Sequence, residues 1–373
     1  MWNPSETIRL FKNRELDELY ISIAVRNFAL SIVAVFLPIY FLEQGMTLTW
    51  VFLFFAIKNL VHAACVLPVA HFCSRFGYKH GMVLSAPIIV LFFILLYLID
   101  LTPLNLALLA AISGLQTALY YTGYHLDFSK LSKNTQSGRA AGMAKVISTI
   151  FHAAGPVLGG ILLVLIGFKF TFLVVSVILV FSGIPLLLTK DGKVPLKHCK
   201  LSEIDPKFKR EVVAFWGYGV QASGSQMLWP LFVYLTIVTS YTALGSIVSL
   251  GIIVSVFGAW IVGMLTDKHP RRVMRFGVIF SVLTWIGRLL VGTPAQVYAV
   301  DSAHGLATTT LTLPTEVISY TRANKTDIAG YIIMREIMIQ LGRACIYILA
   351  AIAGLSLVTL GISGSGVLLF LFL

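Results

Sequence analysis

Charge is what this sequence has least of. Of its 373 residues only 12% are charged, against about 25% in a soluble globular domain. Hydrophobic residues make up 58%, and the mean hydropathy is +0.88. A soluble module is excluded on these grounds. Acids are scarcer still, 16 against 28 Lys and Arg, for a net charge of +12. Cysteine is almost absent: Cys65, Cys73, Cys199 and Cys345 show neither paired nor metal-ligand spacing, so no disulfide framework or metal site is implied. There is no G-x-x-x-x-G-K-[ST] phosphate loop and so no sign of ATP as an energy source. The opening segment, MWNPSETIRLFKNRELDELY, is too polar for a cleaved signal peptide with an apolar core.

What the chain does have is apolar runs of about 20 residues from end to end, the length that crosses a ~30 Å hydrocarbon core. The pattern predicts twelve helical spans, at 16–42, 48–72, 82–99, 104–126, 140–166, 170–188, 212–237, 244–266, 276–292, 295–318, 328–352 and 355–373. Of the 28 Lys and Arg, 21 fall in the N-terminal arm and in loops 73–81, 127–139, 189–211, 267–275 and 319–327. The alternate connections hold only Lys169. Such a bias predicts a multi-pass protein of the cell membrane with both termini cytoplasmic. It also accounts for most of the basic excess without nucleic acid, since the lipid bilayer is the partner of such loops.

The long polar stretch 189–211 divides the spans into an N-terminal six, 1–188, and a C-terminal six, 212–373. Two short internal similarities support a repeat. Ala141-Gly142 aligns with Ala329-Gly330, and HFCSRFGYKH from His71 aligns with MLTDKHPRRV from Met264, at nearly equal offsets.

The stretch G-M-L-T-D-K-H-P-R-R, Gly263 to Arg272, resembles the G-x-L-x-D-[RK]-x-G-[RK]-[RK] loop signature of the major facilitator superfamily, with Pro270 in place of the glycine. The first-half copy keeps Arg75, Gly77 and Lys79 but has Ser74 where the acid belongs. Gly155-Pro156-Val157-Leu158-Gly159-Gly160 resembles the Gly-Pro element of that superfamily, notably of its drug–proton antiporters, with Phe151 replacing their upstream glycine. The resemblance implies an all-α fold of two pseudo-symmetric six-helix bundles and transport by alternating access. It implies a conformational role for the loop residues Arg75, Gly77, Lys79, Gly263, Asp267, Lys268, Arg271 and Arg272. Asp267, an acid in a basic loop, is the candidate lock; the bases have the plainer reading of membrane anchors. Gly155, Pro156, Gly159 and Gly160 read as a helix-packing element.

Six bases remain inside the spans: Arg26, Lys58, Lys145, Arg288, Arg335 and Arg343. Two acids, Asp301 and Glu336, lie near mid-span, with Glu316 closer to a helix end. At about 2.5–3.5 kcal/mol each, these charges would cost on the order of 20 kcal/mol if they faced lipid. They are expected to face a wet pathway or one another. For Arg26 and Arg335 the alternative is snorkelling to the interface, and Arg288, on the ninth span, reads as structural or snorkelling. Helical spacing gathers the polar residues into stripes: Lys58/His62/Cys65, Lys145/Ser148/His152, Asp301/His304/Thr308 and Glu336/Gln340/Arg343. Ser113/Gln116/Tyr120/Tyr124 and Gln221/Ser225/Trp229 add hydroxyls, amides and rings. Along its own helix Glu336 is two turns from Arg343, so each is expected to find partners elsewhere.

The expected function is a secondary transporter for a small molecule, driven by protons or another coupling ion and acting as a monomer without a cofactor. Five bases against two acids favour an organic anion. The alternatives are an exporter of lipophilic cations in exchange for protons, a non-transporting receptor, or a membrane enzyme built on His71, Cys73 and His80.

Overall fold

In a membrane interior no water is available to the backbone, so each crossing segment must satisfy its own N–H and C=O groups, as a helix does. The computed structural model describes residues 14–132, 137–188, 191, 208–325 and 328–373, with side chains at 14–16, 129–132, 137–148 and 260 outside the description. Every regular element among these residues is helical. α1 (Arg14–Ala34) is continued after a two-residue break by α2 (Leu37–Glu43), which starts with Pro38 in its first turn. Then come α3 (Leu48–Phe76), α4 (Tyr78–Leu98), α5 (Pro103–Ser132) and α6 (Ser137–Ser182). After the linker follow α7 (Lys209–Ser223), α8 (Trp229–Val233), α9 (Tyr241–Lys268), α10 (Pro270–Leu290), α11 (Pro294–Ala323), α12 (Ile328–Ala353) and α13 (Leu357–Ser365).

Eight stretches among the described residues are long and apolar enough to cross a bilayer. One of them, Thr149–Leu187, has 39 residues, about 58 Å of helix and nearly twice a hydrocarbon core. It breaks at Gly167, whose φ of 71° is open to glycine at little cost. The expected fifth and sixth spans therefore occupy this one stretch, joined by a single non-helical residue. The expected seventh, tenth and twelfth positions are helical but are not among the eight. The seventh is interrupted by π turns at Gly224–Leu228 and Tyr234–Val238 on either side of α8. Pro230, with no N–H to donate, lies between them. The tenth, in α11, is diluted by Asp301, His304 and a run of threonines. The twelfth ends as a 3-10 turn, Gly366–Phe372.

Packing between the segment before 188 and the segment after 208 is concentrated in two seams, α6 against α9 and α3 against α12. Glycines set the first. A Cβ on Gly159 would stand 1.9 Å from the carbonyl oxygen of Ile32 in α1, and one on Gly160 would stand 2.5 Å from that of Tyr241 in α9. On Gly155 it would meet the Ser31 hydroxyl. The Gly-Pro element thus lies where α6 touches α1 and α9 at backbone distance.

Candidate functional site

The α3–α12 seam brings together three of the predicted bases. Lys58 lies 10 residues after Leu48, where α3 begins, and Arg343 lies 10 residues before Ala353, where α12 ends, each about 15 Å inside its helix. The charges acting on Lys58 are those of Arg343 and Arg26, both of its own sign. Arg26 is not at the interface: it is 1% exposed, donates to Gln116 Oε1 at 2.6 Å and lies 3.8 Å above the Tyr120 ring. Arg343 donates to Gln226 Oε1 at 3.1 Å, a residue within the first π turn. Among the described residues none of the three bases lies within ion-pair distance of a carboxylate. His62, on the Lys58 face of α3, is 2% exposed, and its Nε2 has no hydrogen-bond partner among the described residues. Its ring stacks with Tyr121 at 6.3 Å, and Tyr121 stacks with His125 at 6.2 Å.

That stack leads to the second group. His125 Nδ1 is 2.8 Å from the Tyr320 hydroxyl, and its Nε2 is 3.3 Å from Glu336 Oε1. Arg335 Nη1 is 3.5 Å from the same oxygen, so these sequence neighbours pair, although their positions point about 100° apart around the helix. The long guanidinium stem spans that angle. The Arg335 guanidinium also lies 6.0 Å from the Phe215 ring and 5.8 Å from that of Tyr320. Arg335 is 5% exposed, a buried partner and not a snorkelling one. Gln340 completes the surroundings of Glu336 as a hydrogen-bond partner. α5 thereby bonds to α11 and α12 within about 10–12 Å of their basic-loop ends.

Asp301 belongs to a third, self-contained network. Arg288 Nε and Nη2 reach its Oδ1 at 2.9 and 2.8 Å, and the Trp229 indole N–H donates to both of its oxygens. Ser225 Oγ is 2.9 Å from His304 Nε2 and accepts from Arg288 Nη1 and from Gln221 Nε2. Thr284 Oγ1 holds His304 Nδ1 at 2.8 Å. Arg288 is 5% exposed, which rules out snorkelling for it; it is a buried structural pair. The amide and aromatic stripes on α5 and along 221–229 are therefore the lining that receives the buried charges.

Lys145 and Ser148 lie outside the described side chains, so the place of that stripe is not described; His152, on the same helix, is half-buried. At the basic-loop end the signature residues divide. Lys79 is buried with Glu18 at 3.3 Å, so it is no surface anchor. Arg75, Asp267, Lys268, Arg271 and Arg272 are exposed, and Arg75 lies over the Phe76 ring. Asp267 has no hydrogen-bond or ion-pair partner among the described residues. In the first copy, where Ser74 stands in place of the acid, a carboxylate arrives from the linker. Asp191 Oδ2 accepts from the His80 backbone N–H at 3.0 Å and lies 2.7 Å from His80 Nδ1, directly over Gly77. Glu211 receives Arg322 in an ion pair and the Tyr331 hydroxyl at 2.6 Å. At the opposite end the Tyr241 hydroxyl donates to Glu43, and Tyr241 is ringed by Phe36, Phe168 and Tyr234.

Sequence reasoning passed over His125, Tyr320, Glu18, Glu211 and Asp191. His125 did carry a signal, four residues after Tyr121 on an apolar helix face. The others sit at span ends or, for Asp191, in the linker, where polar residues are ordinary. Among the described residues no cluster of His, Cys, Asp and Glu has metal-binding geometry.

Charges sealed inside apolar helices long enough to cross a bilayer, with bonds across the two chain segments at both ends, mark a multi-pass membrane protein. The chain belongs to the Major Facilitator Superfamily, whose sequence profile matches residues 19–211. No curated protein matches it. Solved structures of similar fold include a POT family transporter in complex with a thioalcohol conjugated peptide and one in complex with 5-aminolevulinic acid. Each has a TM-score of 0.72 and 13% identity, over 96% of this chain and 95% of that one. At that identity the likeness is one of fold.

Proposed function

We propose that this protein is a secondary transporter for a small organic anion, working by alternating access between two six-helix halves, 1–188 and 212–373, with twelve crossings in all. The observation that carries the anion reading is the group Lys58, Arg343 and Arg26, three bases at the seam with no carboxylate in ion-pair reach among the described residues. Inside a low-dielectric cleft such an excess attracts anions and repels cations. Arginine's planar fork also matches the two oxygens of a carboxylate. The coupling ion is a proton carried at Glu336 and His125. The basic loops, with both termini, lie in the cytoplasm. The contrary reading, an exporter of lipophilic cations, drew on the Gly-Pro element, whose glycines here meet backbone of α1 and α9.

The test is competition in proteoliposomes. Small carboxylates are expected to inhibit uptake and to raise the thermal midpoint, since a ligand that binds only the folded protein stabilises it. Lys58→Ala and Arg343→Ala should each weaken that binding by about tenfold or more, the scale of one lost charge-assisted bond. Inhibition by lipophilic cations alone, unchanged in both variants, would sink the anion reading. Specific binding with no transport would leave a receptor.

A further inference from the structure

We propose that the groove where α9, α10 and α11 meet at the basic-loop end binds an anionic phospholipid. An acyl chain lies in an apolar crevice, and the headgroup phosphate sits in the basic bowl beside it. The crevice has a volume of about 440 Å³ and is lined chiefly by Ile261, Leu265, Phe276, Phe280 and Leu306. Beside it, a bowl of about 450 Å³ is lined by Lys268, Arg271, Arg272, Arg322 and Lys325. His269 and Arg272 line both, so the two spaces adjoin. Among the described residues no acid lines either one.

Two features select a lipid over a dissolved ion. The crevice walls are outward-facing: Ile261 is 54% exposed, Leu265 53% and Phe276 62%, which is the surface of a membrane-crossing helix that acyl chains cover. The bowl stands at the end of that same apolar surface, where the helix α9 gives way to the basic loop. Of its bases, Arg322 is already committed to Glu211, and Lys268, Arg271, Arg272 and Lys325 make no ion pair among the described residues. A free phosphate would satisfy the bowl and leave the crevice unfilled. A zwitterionic lipid would fill the crevice and leave the excess of positive charge unmatched. An anionic phospholipid does both.

The full chain in detergent is titrated with phosphatidylglycerol, phosphatidylcholine or inorganic phosphate, reading the thermal midpoint and, by native mass spectrometry, the lipid retained. Phosphatidylglycerol is expected to bind roughly tenfold more tightly than phosphatidylcholine, because several bases face one headgroup. The pair Lys268→Gln with Arg272→Gln should erase that preference. Val273→Trp, which fills the crevice and keeps every base, should weaken retention of both lipids. If the first pair does not fold, Arg271→Gln with Lys325→Gln is read in the same way. Equal binding of the two lipids, a phosphate effect as large as that of phosphatidylglycerol, or undiminished retention in the folded variants overturns the proposal.

Discussion

Asp301 and Glu336 are both buried acids on membrane-crossing helices, but their neighbours ask different things of them. Asp301 takes two contacts from one guanidinium and two from an indole, a closed set that neutralises it. Removing it strands Arg288 in a dry site. Asp301→Ala is expected to cost about 3–5 kcal/mol of stability, seen as a lower thermal midpoint and poor yield. Glu336 instead shares one oxygen between Arg335, its own helix neighbour, and His125 from α5, a set that leaves it less completely enclosed. Glu336→Gln is expected to fold and to exchange solute but to lose accumulation against a gradient. Full gradient-driven accumulation in proteoliposomes of that variant would remove Glu336 from coupling.

At the scale of helices, the connections matter more than the spans. Gly77 ends α3 and begins α4 with φ 123°, and an added Cβ there would stand 2.0 Å from Asp191. Gly77→Ala meets both backbone strain and loss of the Asp191 contact. A cost of about 1–3 kcal/mol is expected from strain alone, measurable as a fall in thermal midpoint. Gly159→Ala must push α1 away from α6, because its Cβ would meet main-chain oxygen that has no rotamer to yield. Gly292→Ala is the matched control: nothing lies within 4 Å of its Cβ, and a change within about 0.5 kcal/mol is expected. Equal stability of the Gly159 and Gly292 variants would show that α6 and α1 do not approach as closely as described.

For the whole molecule, the proposed alternating access requires contacts between the segments before 188 and after 208 to break. The opposite end is tied by Tyr241 and Glu43, and the basic-loop end by His125 with Tyr320 and Glu336. Asp267, the acid that the family signature singles out, is exposed in this conformation. A lock role for Asp267, as the signature leads us to propose, would require another conformation. Two outcomes follow. With the native cysteines replaced, labelling of Ile333→Cys from the basic-loop side should rise several-fold on Tyr320→Phe and stay unchanged on Asp267→Asn. Asp267→Asn should nonetheless slow transport while insertion and folding persist. Faster labelling in the Asp267 variant, or normal transport, would contradict this division of roles.

By itself the sequence determined that the chain lives in a membrane, that its segments are helical, and that its family is the Major Facilitator Superfamily. Those properties are carried by local composition and short motifs: apolar runs of fixed length, loop charge, and a signature read residue by residue. It also singled out Lys58, Arg343, Arg288, Asp301 and Glu336, because any charge in an apolar helix stands out. Only the tertiary structure decided their partners. Arg288 closes on Asp301 from the neighbouring helix, Glu336 meets His125 from the other chain segment, and Asp191 arrives from the linker to cover Gly77. Partnership depends on which helices are adjacent and how deep each residue sits. In this fold adjacency joins residues that lie 211 positions apart, as 125 and 336 do. Periodicity along one helix says which face a charge is on, but not what that face meets.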